Sequence, residues 1–370
     1  MNLRIIGGGI VGLWVATEAV KAGFRPQIVE QFTTGHDLGS SHGDSRIFRS
    51  AYWEGLEYVQ LARTSLDLWK WLEHVSGEKV IDEVGAYYLG NEAGPLIKGV
   101  KAAVKAFNIP AHCFSPLQFH IRGGEKAKIV LEDRACVILA NVAINALKQF
   151  CLNAGVDLLE NSQFEVEDDH NIPTIYCCGP WLADWPEYKE TLTSTRVYCH
   201  YFSYDTPIKI FNKIIIIEGR DGRMLYGIPT GPDTMKVGWH NYLDIPMAPG
   251  VCERSCSREH IEEISKALCS VTGAGLAHKQ SHGCYYTNSL DGNYVIDRLA
   301  PKKWVIGGLS GHGFKFSPAL AKLVIEGLAR NMMPEPLRVF SSSRFKKASE
   351  DPIRMSNKPE PLYLGDKWKV

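Results

Sequence analysis

Two stretches of this 370-residue sequence predict an α/β fold, in which a Rossmann-like parallel-sheet domain is interleaved with an antiparallel-sheet α+β domain. The first is Leu3 to Glu30, a short apolar run, a G-x-G-x-x-G turn from Gly7 to Gly12, an amphipathic helix stopped by Gly23, and a second strand ending in an acid. The second is Arg196 to His240, where strand-like runs are separated by Asp-Thr-Pro, Asp-Gly and Gly-Pro-Asp turns. Helix and strand signals alternate between and after them, so the chain leaves the first domain and returns to it.

Each residue of the opening stretch has a physical job if a dinucleotide binds. Gly7 permits the tight strand-to-helix turn, Gly9 lets backbone approach a pyrophosphate, and Gly12 lets helix and strand pack closely. Ile10 stands in the turn just before the helix expected from Leu13 to Ala22, whose unpaired N–H groups and positive dipole would face an anion. Glu30, at the tip of the second strand, is placed to accept from ribose hydroxyls. A glycine turn alone says little. With a strand before it, a helix after it and an acid about 20 residues on, it is specific. Four glycines in the apolar run and the lack of a basic leader argue against a signal peptide.

The polar loop from Gly35 to Arg49 carries Ser41, His42, Arg46 and Arg49, and suits a segment that runs past a flat ligand before starting a helix or strand. On a helical turn, Arg46 and Arg49 would share one face. Tyr58 to Glu73 and Leu96 to Phe107 read as helices, with Val84 to Gly90 a strand between them. Cys136 to Ala154 reads as strand then helix with Gly155 as the stop, Val156 to Leu159 as a strand, and Thr174 to Trp181 as a buried strand ending in a glycine turn. The vicinal Cys177 and Cys178 read as packing.

In the β-rich stretch Val197 to Tyr204, Lys213 to Ile217, Met224 to Ile228 and Met235 to Trp239 are the expected strands. Facing the first domain, they would bring Tyr226, Lys236 and His240 to one region, with Lys236 and His240 on the same face. Cys252 and Cys256 precede the helix of Ile261, Ile264 and Leu268 without a second ligand pair at useful spacing, so no metal site is expected. The closing third holds His282 to Thr287, a strand from Trp304 to Gly308, and the loop containing Gly311, Gly313 and Lys315. Ser317 and Pro318 are suitable as N-cap and N1 of a helix through Ala329. Residues 347–370 look like a tail over the surface. The division expected is 1–80, 125–190 and 280–370 for the nucleotide domain, and 81–124 and 191–279 for the substrate domain.

Lysine plus arginine equals aspartate plus glutamate, 41 each, so no net field draws the chain to nucleic acid or to a membrane surface. Ten cysteines without a framework spacing fit a reducing compartment. No apolar run reaches the ~18 residues of a membrane span. A monomeric cytoplasmic protein with a small-molecule partner is the expectation.

The combination of Gly7 to Gly12, Ser41 to Arg49, Lys236 to His240, Gly283 to Thr287 and Ser310 to Ser317 resembles the FAD-dependent amine oxidases of the monomeric sarcosine oxidase and N-methyltryptophan oxidase family, within the D-amino-acid-oxidase-like fold. The resemblance covers nearly the whole chain. It implies that FAD is bound covalently through Cys284, that His42 and Arg46 lie near the flavin ring, and that Lys236 serves oxygen reduction. It implies further that Arg49 and Lys315 grip a substrate carboxylate, and that Tyr226, His240 and Tyr286 line the substrate cavity. The implied reaction oxidises the C–N bond of a secondary or cyclic amino acid to an imine while O2 becomes H2O2. A flavin dehydrogenase with another acceptor and a non-catalytic dinucleotide-binding protein are the alternatives. The segment between Phe164 and Tyr176 is short for the family. Trp53 stands where the family generally has a small residue, which points from sarcosine toward cyclic imino acids such as pipecolate.

Overall fold

The computed structural model describes residues 1–119, 126–164, 171–205, 209–219, 221–240, 245–251 and 256–348. Its first layer is a six-stranded sheet in the order Val295–Ala300, Lys303–Gly307, Thr174–Tyr176, Asn2–Ile6, Arg25–Val29 and Asp157–Leu159. All neighbours pair in parallel except the Val295–Ala300 hairpin edge. The helix Ile10–Lys21, buried along most of its length, packs against the helices Ala140–Asn153 and Ser317–Ala329. A strand buried on both faces has no polar alternation to show, which is why these strands read as short apolar runs.

The second layer is a nine-stranded mixed sheet. Along it run Ile245–Pro246, Leu192–Tyr204, Thr234–His240, Met224–Pro229, Ile214–Glu218, Ala86–Asn91, Ala127–Glu132 and Ala111–Phe114, with Leu276–Ser289 pairing the long strand Leu192–Tyr204. Ile214–Glu218 meets Ala86–Asn91 in parallel, so the sheet is not wholly antiparallel. A third, small sheet joins Ser45–Phe48, Cys136–Leu139 and Ile81–Glu83.

Two local expectations are corrected. Arg46 lies on a strand that pairs with Cys136–Leu139, so Arg46 and Arg49 do not share a helical face. Ser317 does not cap the last long helix. A 3-10 turn over Phe314–Phe316 runs directly into it, Ser317 is already helical, and its Oγ donates to the Phe314 carbonyl at 2.7 Å. The predicted tail beyond residue 348 lies outside the described residues, as does Cys252. No described helix is long and apolar enough to cross a membrane.

Two core contacts position the site. Trp69, on the helix Glu57–Ser76, stacks on Phe314 at 5.9 Å and donates its Nε1–H to the Lys315 carbonyl at 3.0 Å. Glu132, fully buried at the end of its strand, accepts from the Ser50 and Ala51 N–H groups at 2.7 and 3.1 Å and from the Tyr88 hydroxyl at 2.5 Å. It thereby fixes the backbone immediately after Arg49. Glu132→Ala would leave buried donors unpaired, at ~1–3 kcal/mol for each. We expect a loss of about 3 kcal/mol in urea unfolding, and a clearly smaller loss for Glu132→Gln, which keeps an acceptor.

Candidate functional site

The G-x-G-x-x-G turn fits a dinucleotide by its geometry. A Cβ on Gly12 would sit 1.8 Å from the Gly7 carbonyl oxygen, so only glycine lets the helix start this close to the first strand. The N-terminus of the helix Ile10–Lys21 carries no side-chain cap from Gly9, and the Ile10 N–H donates to Ser41 Oγ at 3.1 Å. Glu30 accepts from the Gly8 N–H at 2.6 Å and the Phe32 N–H at 2.9 Å, and His36 lies 3.5 Å away. Burial works to raise its pKa, but the hydrogen bonds from His36, Gly8 and Phe32 outweigh burial and hold the carboxyl below its ordinary value. Glu30 therefore braces the glycine turn from beneath.

This turn opens into a cavity of about 760 Å³, within the ~300–1,000 Å³ common for ligand sites. Its walls include Gly7, Gly9, Ile10, Glu30, Ser41, His42, Arg46, Arg49, Tyr226, Lys236, His240, Cys284, Tyr286, Gly311, Gly313 and Lys315. Of the predicted site residues only Gly12 stays off the wall, since it packs helix on strand. The cavity lies beyond the carboxyl ends of the parallel strands, where Ile6, Val29, Cys177 and Gly307 also line it.

One wall is the loop before Ser45–Phe48. Arg46 ties that loop by donating to the carbonyls of His42 at 2.6 Å, Ser45 at 2.9 Å and Ser40 at 3.0 Å. His42 Nε2 is buried without a hydrogen-bond partner. Burial, with Arg46 beside it, pushes this imidazole down to about 4, so it is neutral near pH 7. The opposite wall is Thr234–His240, from which the buried Lys236 reaches the Ser45 carbonyl at 3.1 Å and Asp44 at 3.4 Å. Burial lowers its pKa. Tyr201, in register opposite Lys236, donates to the same Asp44 oxygen at 2.6 Å.

Arg49 is buried between two rings, its guanidinium carbon 3.5 Å from the Trp53 centroid and 3.9 Å from that of Tyr52. It is ion-paired with Glu54 at 2.5 Å. Lys315 lies nearby, 5.3 Å over the Tyr52 ring, and burial together with Arg49 lowers its pKa well below the ordinary value. His240 is pushed down to about 3 by burial, Lys315 and Arg49. The Tyr226 hydroxyl reaches the space where a Cβ of Gly238 would stand, 2.6 Å away, and Tyr286 fills the space beside Gly311, whose φ of +77° only glycine adopts comfortably. Cys284 Sγ is half-buried on the wall, 3.8 Å from the Ser40 carbonyl.

The sequence did not single out Asp44, Tyr201 or Glu54. Tyr201 was legible, because it alternates with Cys199 on a predicted strand and so shares its face. Asp44 and Glu54 carried no signal, since their partners come from elsewhere in the fold or from an irregular loop. A further unread cluster supports the wall from behind, where His312 Nδ1 lies 2.8 Å from the Tyr52 hydroxyl and 3.0 Å from that of Tyr294.

The profile of the FAD dependent oxidoreductase family matches residues 3–326. N-methyl-L-tryptophan oxidase of Yersinia pestis (strain Pestoides F) is 24% identical over 374 aligned residues, covering 93% of this chain and 99% of that protein. Among solved structures, L-proline dehydrogenase from P. horikoshii superposes with a TM-score of 0.77 at 20% identity over 94% of this chain and 98% of its own. NikD, an unusual amino acid oxidase essential for nikkomycin biosynthesis, gives a TM-score of 0.77 at 17% identity over 92% of this chain and 96% of its own.

Because the Glu30 pKa is lowered on folding, its contribution to stability is complete above its ordinary value of 4.5 and is lost as the pH falls through the lower, folded value. Near pH 7, Glu30→Gln should cost about 1.5–3 kcal/mol, the range for hydrogen bonds to a charged group. Thermal unfolding of the two proteins at a series of pH values should show the gap closing on the acid side of 4.5. A gap independent of pH would refute the role.

Proposed function

The chain belongs to the FAD dependent oxidoreductase family, and from that premise we propose that it is an amine oxidase. On this reading it oxidises the C–N bond of a secondary or cyclic amino acid to an imine, and the two electrons and two protons removed pass to O2 as H2O2. Bound FAD would supply the two-electron acceptor. Gly7, Gly9 and Ile10 would hold its pyrophosphate, with Gly12 letting the helix start close enough to do so, Glu30 its ribose side, and Ser41, His42, Arg46, Gly311, Gly313 and Lys315 its ring end, with Cys284 Sγ as the point of covalent attachment. The parallel-sheet layer would then serve as the FAD-binding domain and the large mixed sheet as the substrate domain. The absence of a disulfide among the described cysteines fits a reducing, cytoplasmic setting.

The observation that carries the reading is the set of buried basic groups around one cavity. Lys236 is held by Asp44 and Ser45 at the wall shared with His42, where a fixed cation stabilises the negative charge that oxygen gains. Lys315 and Arg49, at the other end, would receive the substrate carboxylate and so fix the C–N bond in place. Tyr226, His240 and Tyr286 complete the substrate wall, and the low pKa of His240 leaves a neutral ring able to accept a proton's hydrogen bond from an amine. Trp53 narrows that end of the cavity, and Gly99 leaves room for it, since a Cβ there would meet Trp53 at 2.7 Å. A flat cyclic amino acid suits such a slot better than a small flexible one.

The fold shared with L-proline dehydrogenase favours one second reading, the same oxidation with electrons passed to a carrier other than oxygen. A screen of secondary and cyclic amino acids for peroxide release separates the two. We expect stoichiometric peroxide, and in Lys236→Met an oxygen half-reaction slowed at least ~100-fold, the lower end of losses for one electrostatic catalytic group, with the amine half-reaction less affected in stopped flow. Equal loss in both halves would count against Lys236. For the covalent link, acid-precipitated wild-type protein should stay yellow, whereas Cys284→Ala should release all its flavin to the supernatant.

A further inference from the structure

The long strand Leu192–Tyr204 sends alternate side chains to opposite faces. Cys199 and Tyr201 reach the cavity. His200 and Phe202 therefore face away from it, and Phe202 packs with Ile264, Ala267 and Leu268 of the helix Arg258–Thr272. His200 is fully buried in this second, separate place. Its Nδ1 lies 2.8 Å from Ser281 Oγ, while its Nε2 is buried with no hydrogen-bond partner. A buried ring nitrogen left unsatisfied is costly unless something binds it.

Two further donor side chains gather at this imidazole. Cys256 stands just before the helix and His260 in its first turn, and one ligand atom from each of His200, Cys256 and His260 lies within 4.8 Å of the others. Ser257 caps the helix by accepting from the His260 N–H at 3.2 Å, which fixes the turn that carries both residues. The sequence expectation of no metal site rested on Cys252 and Cys256 lacking a second pair. The third donor comes from a strand far earlier in the chain, which spacing could not reveal.

We propose that His200, Cys256 and His260 bind one zinc ion, which pins the start of the helix Arg258–Thr272 to the face of the sheet away from the cavity. Zinc takes imidazole nitrogen at ~2.0 Å and thiolate sulfur at ~2.3 Å in a tetrahedron, which puts ligand atoms roughly 3.5 Å apart, so about 1 Å of side-chain closure completes the site. Water takes the fourth position. Ser281 at Nδ1 orients the His200 ring so that Nε2 faces the ion, the usual part of an outer partner of a ligating histidine. Binding releases the Cys256 thiol proton to solvent as the Zn–S bond forms. The nearby Arg223 does not oppose the ion, because it is paired with Glu263 at 2.6 Å and Asp221 at 2.8 Å.

The test uses the flavin-loaded full chain, stripped with a chelator and titrated with zinc chloride by calorimetry, with metal content measured after desalting. One zinc per chain is expected, with a higher midpoint of thermal unfolding. Cys256→Ser and His260→Asn should each weaken zinc binding at least tenfold and lose the thermal gain, with FAD content and turnover unchanged, since neither residue lines the cavity. Both sit at a partly exposed helix start, so they report without emptying the core as His200→Ala would. Zinc content at background, or zinc bound as tightly by either variant as by the wild-type chain, would overturn the assignment.

Discussion

Positive charge placed in a low-dielectric cavity is the constraint on which this structure turns. Arg46, Arg49, Lys236 and Lys315 all line one space, and moving even one cation out of water is expensive unless it is paired or gives up its proton. Each is handled differently. Arg46 is satisfied by three backbone carbonyls, and so it braces a loop. Lys236 shares Asp44 with Tyr201, and Arg49 has Glu54 and two aromatic faces. Lys315 answers by a pKa well below its ordinary value. His42 and His240 are held neutral by burial, and these cations add to the effect. A site built this way stabilises added negative charge.

The fold creates this concentration of charge by setting two kinds of sheet against each other. The parallel sheet offers glycine turns and a helix N-terminus at the carboxyl ends of its strands, a place for phosphates but a poor source of long polar side chains. The mixed sheet supplies those from alternate positions of extended strands, as with Lys236 and His240 on one face. Between them the segment from Ser40 to Arg49 belongs to neither large sheet. Its carbonyls and Asp44 receive its own Arg46 and, from the mixed sheet, Lys236, and Glu132 anchors its far end through two backbone N–H groups. The wall of the site is thus held by hydrogen bonds between elements distant in sequence.

The elements of the first layer were legible because each carries a local signal. Glycine spacing located the first turn, and Gly155 and Gly77 stop their helices in left-handed conformations that glycine tolerates. Periodicity found Glu57–Ser76, Pro95–Phe107 and the strands from Leu192 to His240 within a few residues. The misreadings share one origin. Ser45–Phe48 was open between helix and strand because a four-residue run is too short for periodicity, and its pairing with Cys136–Leu139 decided the matter. Ser317 has the chemistry of a cap, but the 3-10 turn ahead of it set its backbone first. Counter-charges such as Asp44 and Glu54 were invisible because a partner is a fact of three dimensions, and the same holds for the grouping of His200 with Cys256 and His260.

The pairing of Arg49 changes how acid recognition must work on the proposed reading. An arriving carboxylate at Arg49 replaces Glu54, one anion for another, so the local charge hardly changes and the gain is mainly one of geometry. At Lys315 no such exchange is needed. There a carboxylate would oppose the burial that lowers the Lys315 pKa and so favour the charged amine. The difference in affinity between an amino acid and the corresponding simple amine therefore rests on Lys315 more than on Arg49. Arg49 in turn orders Tyr52, Trp53 and Glu54 around its guanidinium, and by doing so shapes the slot into which the amine must fit.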